Sequence, residues 1–133
     1  MFKRILVAVD GSPTSQRGFK TALGLAKENG AQLFAVHVLD ELAIAHGLYG
    51  ATYIPAEYLD SARAALRDGG LKILASVRGE ADSCGQAVEP VLVENLGSSI
   101  PHAILAEARK LRADLIGCPA ELRAENRRSG PGT

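Results

Sequence analysis

The sequence predicts an α/β fold: a three-layer, open, mostly parallel sheet with helices on both faces. Three observations carry that reading. Short apolar, β-branched runs alternate with segments whose apolar residues recur every three or four positions, the order that builds parallel sheets through right-handed crossovers. The chain of 133 residues is long enough to bury one core, and its two cysteines, Cys84 and Cys118, stand in no CxxC or metal-binding spacing. Apolar residues make up 47% of it and charged residues 23%, the balance of an ordinary globular chain.

The first run, KRILVAVD over residues 3–10, is apolar between its charged ends, as in a strand covered on both faces. GSPTS follows it. Ser12 has the chemistry of an N-cap, and Pro13 then takes the first helical position, where a missing N–H costs nothing. Phe19, Ala22, Leu23 and Ala26 form one face of this helix, and Asn29-Gly30 supplies residues that end it. QLFAVHVL, residues 32–39, is a second buried strand. Residues 42–57, with Gly47, Gly50 and Pro55, read as a surface loop or a broken helix.

A second helix is expected from Tyr58 to about Arg78 on the spacing of Leu59, Ala62, Leu66, Ile73 and Val77. Gly69-Gly70 should weaken its middle by about 1 kcal/mol per glycine. Residues 80–86 read as a turn, and VEPVLVE at 88–94 as the third strand, where Pro90, with no N–H to donate, suits an edge. Gly97 to Ser99 is a turn whose Ser98-Ser99 pair reads as capping. Ile100, Ile104, Ala108 and Leu111 then share a helix face, and ADLIGC at 113–118 is a fourth strand. PAELRAENRRSGPGT has no apolar period. Residues 1–118 are therefore expected to form the domain and 119–133 an irregular or disordered tail.

Composition excludes several functions. Fifteen basic residues balance fifteen acidic ones, and there is no Trp, so neither a cationic excess nor an aromatic platform for nucleic acid is present. No apolar run has the length of a signal sequence or a membrane span, and two unpaired thiols fit a reducing compartment. The expectation is a cytoplasmic protein with no membrane or nucleic-acid partner. His37, His46 and His102 lie in different elements and make no metal site, and no histidine stands beside Ser12, Thr14 and Ser15 to complete a nucleophilic triad. A receiver-type phosphoacceptor would need an Asp where the third strand ends in Glu94-Asn95, and a lysine on a fifth strand.

Ligands of open parallel sheets gather at the carboxyl ends of the strands, near the reversal of strand order. Those ends carry Asp10, Asp40 with Glu41, Glu94 with Asn95, and Cys118. Asp10 precedes a helix N-terminus, whose free N–H groups favour an anion. The acid itself would either close an Asx-type turn or meet a phosphate-bound Mg²⁺. The turn is no P-loop, because Gly11 and Gly18 are seven apart and Lys20 does not follow a glycine, and GxGxxG is absent as well.

Three pieces taken in order, KRILVAVDGSPTSQ, AVHVLDE and GSSIPHAILAEARKLRADLI, resemble the universal stress protein family from Lys3 to about Ile116. The resemblance implies a sheet of five parallel strands in the order 3-2-1-4-5. For the branch that binds ATP it implies a cofactor-binding set of Ala8, Val9 and Asp10, with the Val38 backbone against the adenine and Ser12 as a further contact. Asp10 would meet the ribose or a bound Mg²⁺. The implied role is a binding or regulatory module of the stress response, with no catalysis beyond weak ATP hydrolysis.

The chain departs from the family after ADLI. The phosphate motif of the ATP-binding branch is Gly-x-x-Gly, nine residues, then Gly-Ser or Gly-Thr. Here the third residue after Gly117 is Ala120, and Pro119 stands where strand alignment expects the first glycine. A weakened phosphate site follows, since those glycines let backbone N–H groups approach a phosphate. The last helix and fifth strand are expected to be missing too. That would leave residues 113–118 as an open sheet edge and points to a homodimer through it. The alternative is a dimeric signalling or interaction module that binds no nucleotide.

Overall fold

Side chains along a strand point alternately to its two faces, and in the first strand both sets are apolar. Ile5, Val7 and Val9 join one buried cluster, Leu6 and Ala8 the other. A strand of this kind is stable only in the middle of a sheet with helices on both sides. The computed structural model, which describes residues 2–40, 56–95, 99–117 and 122–124, has that architecture. Asp40, Ala56, Asn95 and residues 122–124 are described by their backbone alone.

The elements in chain order are β1 (Arg4–Ala8), α1 (Pro13–Asn29), β2 (Gln32–Asp40), α2 (Ala56–Ser83), β3 (Val88–Asn95), α3 (Ile100–Leu111), β4 (Leu115–Gly117) and β5 (Leu122–Ala124). They form one sheet in the order β3-β2-β1-β4-β5. The first four strands are parallel, with Ala8 opposite Val36 and Val7 opposite Gly117, and β5 runs antiparallel to β4. α1 and α2 cover one face, where Phe19, Leu23, Leu74 and Val77 meet Ile5, Val7 and Leu33. α3 covers the other, with Ala103, Ile104 and Ala108 against Leu6, Phe34 and Val36.

Local signals set most boundaries. Ser12 caps α1 by accepting the Ser15 N–H at 3.1 Å, Pro13 follows it, and Gly30 closes the helix at φ +63°. Ser99 caps α3 by accepting the His102 N–H at 3.3 Å. Pro90 lies in β3, an outer strand of the sheet, as its missing N–H requires. Asp114 ties the two ends of the chain together. Its carboxylate accepts the N–H groups of Lys3 at 2.9 Å and Arg4 at 3.1 Å, just where β1 and β4 begin.

Three expectations need correction. α2 runs on to Ser83 instead of ending near Arg78, because Ala81 is fully buried in the core on that face of the sheet. The fifth strand is not missing, and it is antiparallel where the resemblance implied five parallel strands. Leu122–Ala124 pairs with β4, Leu115 opposite Ala124 and Gly117 opposite Leu122. A three-residue outer strand needs only backbone partners, so it leaves no apolar period in the sequence. β4 is therefore covered on both sides, and the open edge inferred for residues 113–118 does not exist. Among the described residues the outer strands are β3 and β5. The loop expected at 42–57 lies outside the described residues up to Pro55, as do His46, Cys118 and the turn at Gly97-Ser98. No helix among the described residues is long and apolar enough to cross a membrane.

Candidate functional site

The β1 ladder ends one residue past the strand. The Val9 N–H still donates to the Val36 carbonyl at 2.8 Å. Beyond that rung the chain turns away from β2, and side chains take over the pairing. His37 Nδ1 lies 2.8 Å from the Val9 carbonyl oxygen, and the Asp10 N–H donates to Ser15 Oγ at 3.0 Å. Gly11 then takes φ +83°, a conformation that glycine adopts without a Cβ penalty. Asp10 Oδ1 accepts the Ser12 N–H at 2.9 Å, which realises the Asx-type turn.

The charge of Asp10 follows from this geometry. Partial burial pushes its pKa up, but hydrogen bonds from Ser12 and Ser15 outweigh that effect and hold the carboxyl below its ordinary value of 3.8. Asp10 is thus an anion at the surface, with lone pairs left after Ser12 has taken its share. Ser15 is its buried support, only 1% exposed.

Beside this turn lies a pocket of about 80 Å³ lined by Ala8, Val9, Asp10, Val36, His37, Val38, Ile100 and Ile104. It sits at the carboxyl ends of β1 and β2, under the first turns of α3. Four of the five residues inferred from the sequence, Ala8, Val9, Asp10 and Val38, line it. Ser12 does not; its hydroxyl is engaged as the α1 cap. Among the described residues the walls are mostly apolar, with one carboxylate and no Lys or Arg, which suits a flat ring bearing hydroxyls better than a bare phosphate.

A wider cleft of about 270 Å³ lies between α1 and α2, on the other face of the sheet, with Gly11, Gln16, Lys72, Ser76 and Glu80 at its sides. It shares Val9 with the pocket but reaches neither Asp10 nor Val38. Among the described residues no three His, Cys, Asp or Glu gather as a metal site. A Mg²⁺ ion would therefore meet Asp10 as the one carboxylate that lines this pocket among the described residues and take its other ligands from a bound phosphate and water.

His37 and Gly70 escaped the sequence-based site. The His37 ring is partly buried beneath α2, where an added Cβ on Gly70 would fall 2.6 Å from His37 Cδ2 and 3.1 Å from Leu92 Cδ1. Gly70, read as a weak point of the helix, is what allows the helix to lie on the histidine. The histidine-valine pair in AVHVLDE was the available signal, but its meaning depends on the register of β2 against β1.

The family model for the universal stress protein family matches residues 1–124. Universal stress protein YxiE of Bacillus subtilis is 33% identical over 117 residues, covering 87% of this chain and 77% of that protein. A crystal structure of a universal stress protein family member from Burkholderia pseudomallei superimposes with a TM-score of 0.69 at 31% identity, over 87% of this chain and 80% of that one. A family protein of Arabidopsis thaliana with AMP bound shares the fold at a TM-score of 0.61 and 17% identity, over 87% of this chain and 75% of that one. By the family match, its relatives and its β3-β2-β1-β4-β5 sheet, this chain belongs to the universal stress protein family.

Proposed function

We propose that this chain is a regulatory module that holds the adenosine part of an adenine nucleotide at the ends of β1 and β2 and grips the phosphates weakly. One observation carries the reading: Ala8, Val9, Asp10 and Val38 converge on a single, mostly apolar pocket with a carboxylate in its lining. Such walls suit a heteroaromatic ring, and the carboxylate suits the ribose hydroxyls. The AMP-bound relative supports it through the shared fold.

The weak grip on phosphate follows from the sequence after β4, where the Gly-x-x-Gly spacing fails at Ala120. ATP with Mg²⁺ would then bind little better than AMP. With the phosphates weakly held, ATP turnover would be at most slow, and binding would be the function. Two copies would pair through the outer strands β3 or β5.

Calorimetric titration with adenosine, AMP and ATP–Mg²⁺ tests the reading. All three should bind, with affinities within about tenfold of one another, or about 1.4 kcal/mol. No binding of any of them up to about 1 mM, a limit of about −4 kcal/mol, would refute it. ATP bound far more tightly than adenosine would refute the weak phosphate grip.

A further inference from the structure

We propose that His37 and Ser15 are positioning residues of this pocket: they clamp the peptide group between Val9 and Asp10 and so fix where the Asp10 carboxylate stands. The proposal rests on the nucleotide reading above. Its basis is that the Val9 carbonyl and the Asp10 N–H belong to one planar peptide unit. His37 Nδ1 holds the carbonyl end at 2.8 Å, and Ser15 Oγ holds the N–H end at 3.0 Å. Neither end has a backbone partner among the described residues. The two side chains come from different elements, β2 and α1, and stand in for the next rung of a ladder that β1 has left.

Without such a clamp the plane would be free to rotate, changing ψ of Val9 and φ of Asp10 together and swinging the carboxylate away from the pocket. The clamping groups are themselves held. Ser15 is 1% exposed, and its own N–H is bound to Ser12 Oγ at 3.1 Å. The His37 ring is backed by Gly70, closer than any larger residue would permit. A carbonyl only accepts, so the proton of this hydrogen bond belongs to Nδ1 of His37, which leaves Nε2 unprotonated in the neutral ring.

The experiment compares wild type with His37→Leu, His37→Asn and Ser15→Ala by calorimetric titration with AMP, with thermal unfolding of each variant alongside. Asn places an amide N–H where the imidazole Nδ1 stood; Leu places a methyl group there. His37→Leu and Ser15→Ala should each weaken AMP about tenfold, the worth of one well-placed hydrogen bond, and His37→Asn should stay within about threefold of wild type. The imidazole nitrogen NMR spectrum of wild type should show the proton on Nδ1 and should shift when AMP is added. A neutral ring protonated on Nε2 alone overturns the clamp whether or not AMP binds. Unchanged affinity in the Leu and Ala variants, with wild type binding AMP, overturns it and leaves the nucleotide reading standing. Equal losses in Leu and Asn, tracking lost thermal stability, would mean a general structural role and overturn it as well. If wild type binds no AMP, the nucleotide reading falls and takes the positioning role with it.

Discussion

Replacing Gly70 by Ala sets two opposing effects against each other. The helix gains, since Ala in place of Gly in a helix interior stabilises by about 1 kcal/mol. The packing loses. The new methyl group would fall 2.6 Å from His37 Cδ2 and 3.1 Å from Leu92 Cδ1, where carbon atoms prefer about 3.5–4 Å. The ring cannot withdraw while Nδ1 stays 2.8 Å from the Val9 carbonyl. Either it lets that hydrogen bond go, at about 0.5–1.5 kcal/mol, or α2 shifts, at about 1–3 kcal/mol of overpacking strain. The cheaper of these routes roughly cancels the helix gain, so Gly70→Ala should leave stability within about 0.5 kcal/mol of wild type. The neighbouring Gly69 is the control, because a Cβ there meets nothing within 4 Å. Gly69→Ala should stabilise by about 1 kcal/mol, which puts a gap of about 1 kcal/mol, on the order of 4 °C in Tm, between two variants one residue apart. Urea and thermal unfolding of both measure the gap, together with Gly70→Ala in a His37→Ala background. There most of the penalty should vanish, because only the flexible tip of Leu92 remains in the way. Equal stability of Gly69→Ala and Gly70→Ala would refute the reasoning.

Further outcomes concern the turn and the chain ends. Gly11→Ala should cost about 1–2 kcal/mol in urea unfolding, since φ +83° is unfavourable for a residue with a Cβ and Ile73 Cδ1 would stand 3.2 Å from it. Ser12→Ala removes the α1 cap and should cost about 1 kcal/mol by the same measurement. Asp114→Ala leaves two N–H groups at the start of β1 without their carboxylate and should cost about 1–3 kcal/mol. Asp10 has a lowered pKa, so its charge contributes stability that is complete above the ordinary value of 3.8 and is lost as pH falls through the lower folded value. The advantage of wild type over Asp10→Asn in thermal unfolding should be constant near neutral pH and shrink only in the acid range below 3.8. An advantage that grew on acidification would contradict the sign.

Much of the fold was legible because its signals are local. Ser12-Pro13, Asn29-Gly30 and Ser99 mark helix ends through their own backbone chemistry, and the apolar runs of β1 and β2 mark strands buried on both faces. What escaped is non-local. β5 is made by hydrogen bonds to β4, and nothing in LRA announces a strand. The end of α2 was misread because Asp82, Ser83 and Gly85 look like turn residues, whereas Val77 and Ala81 are buried against the sheet. At the site, Ala8, Val9, Asp10 and Val38 were named through the family resemblance, and the geometry brings them together. Ser12 was named with them but serves the helix. His37 was set aside as a strand histidine, because its value depends on the Val9 carbonyl having lost its strand partner.

The tie between Asp114 and the first residues of β1 bears on how the chain comes together in time. It joins groups 110 and 111 positions apart. A chain emerging from the ribosome can pair β1 with β2 and β2 with β3 early, since that half of the sheet is complete by residue 95. The other edge of β1, the central strand, then waits for β4 at residues 115–117. For that interval the nascent protein presents a bare apolar edge at what will become its most protected place, and a neighbouring nascent chain could pair there. Synthesis of this protein is therefore most exposed to misassembly in the stretch between the end of β3 and the arrival of Asp114.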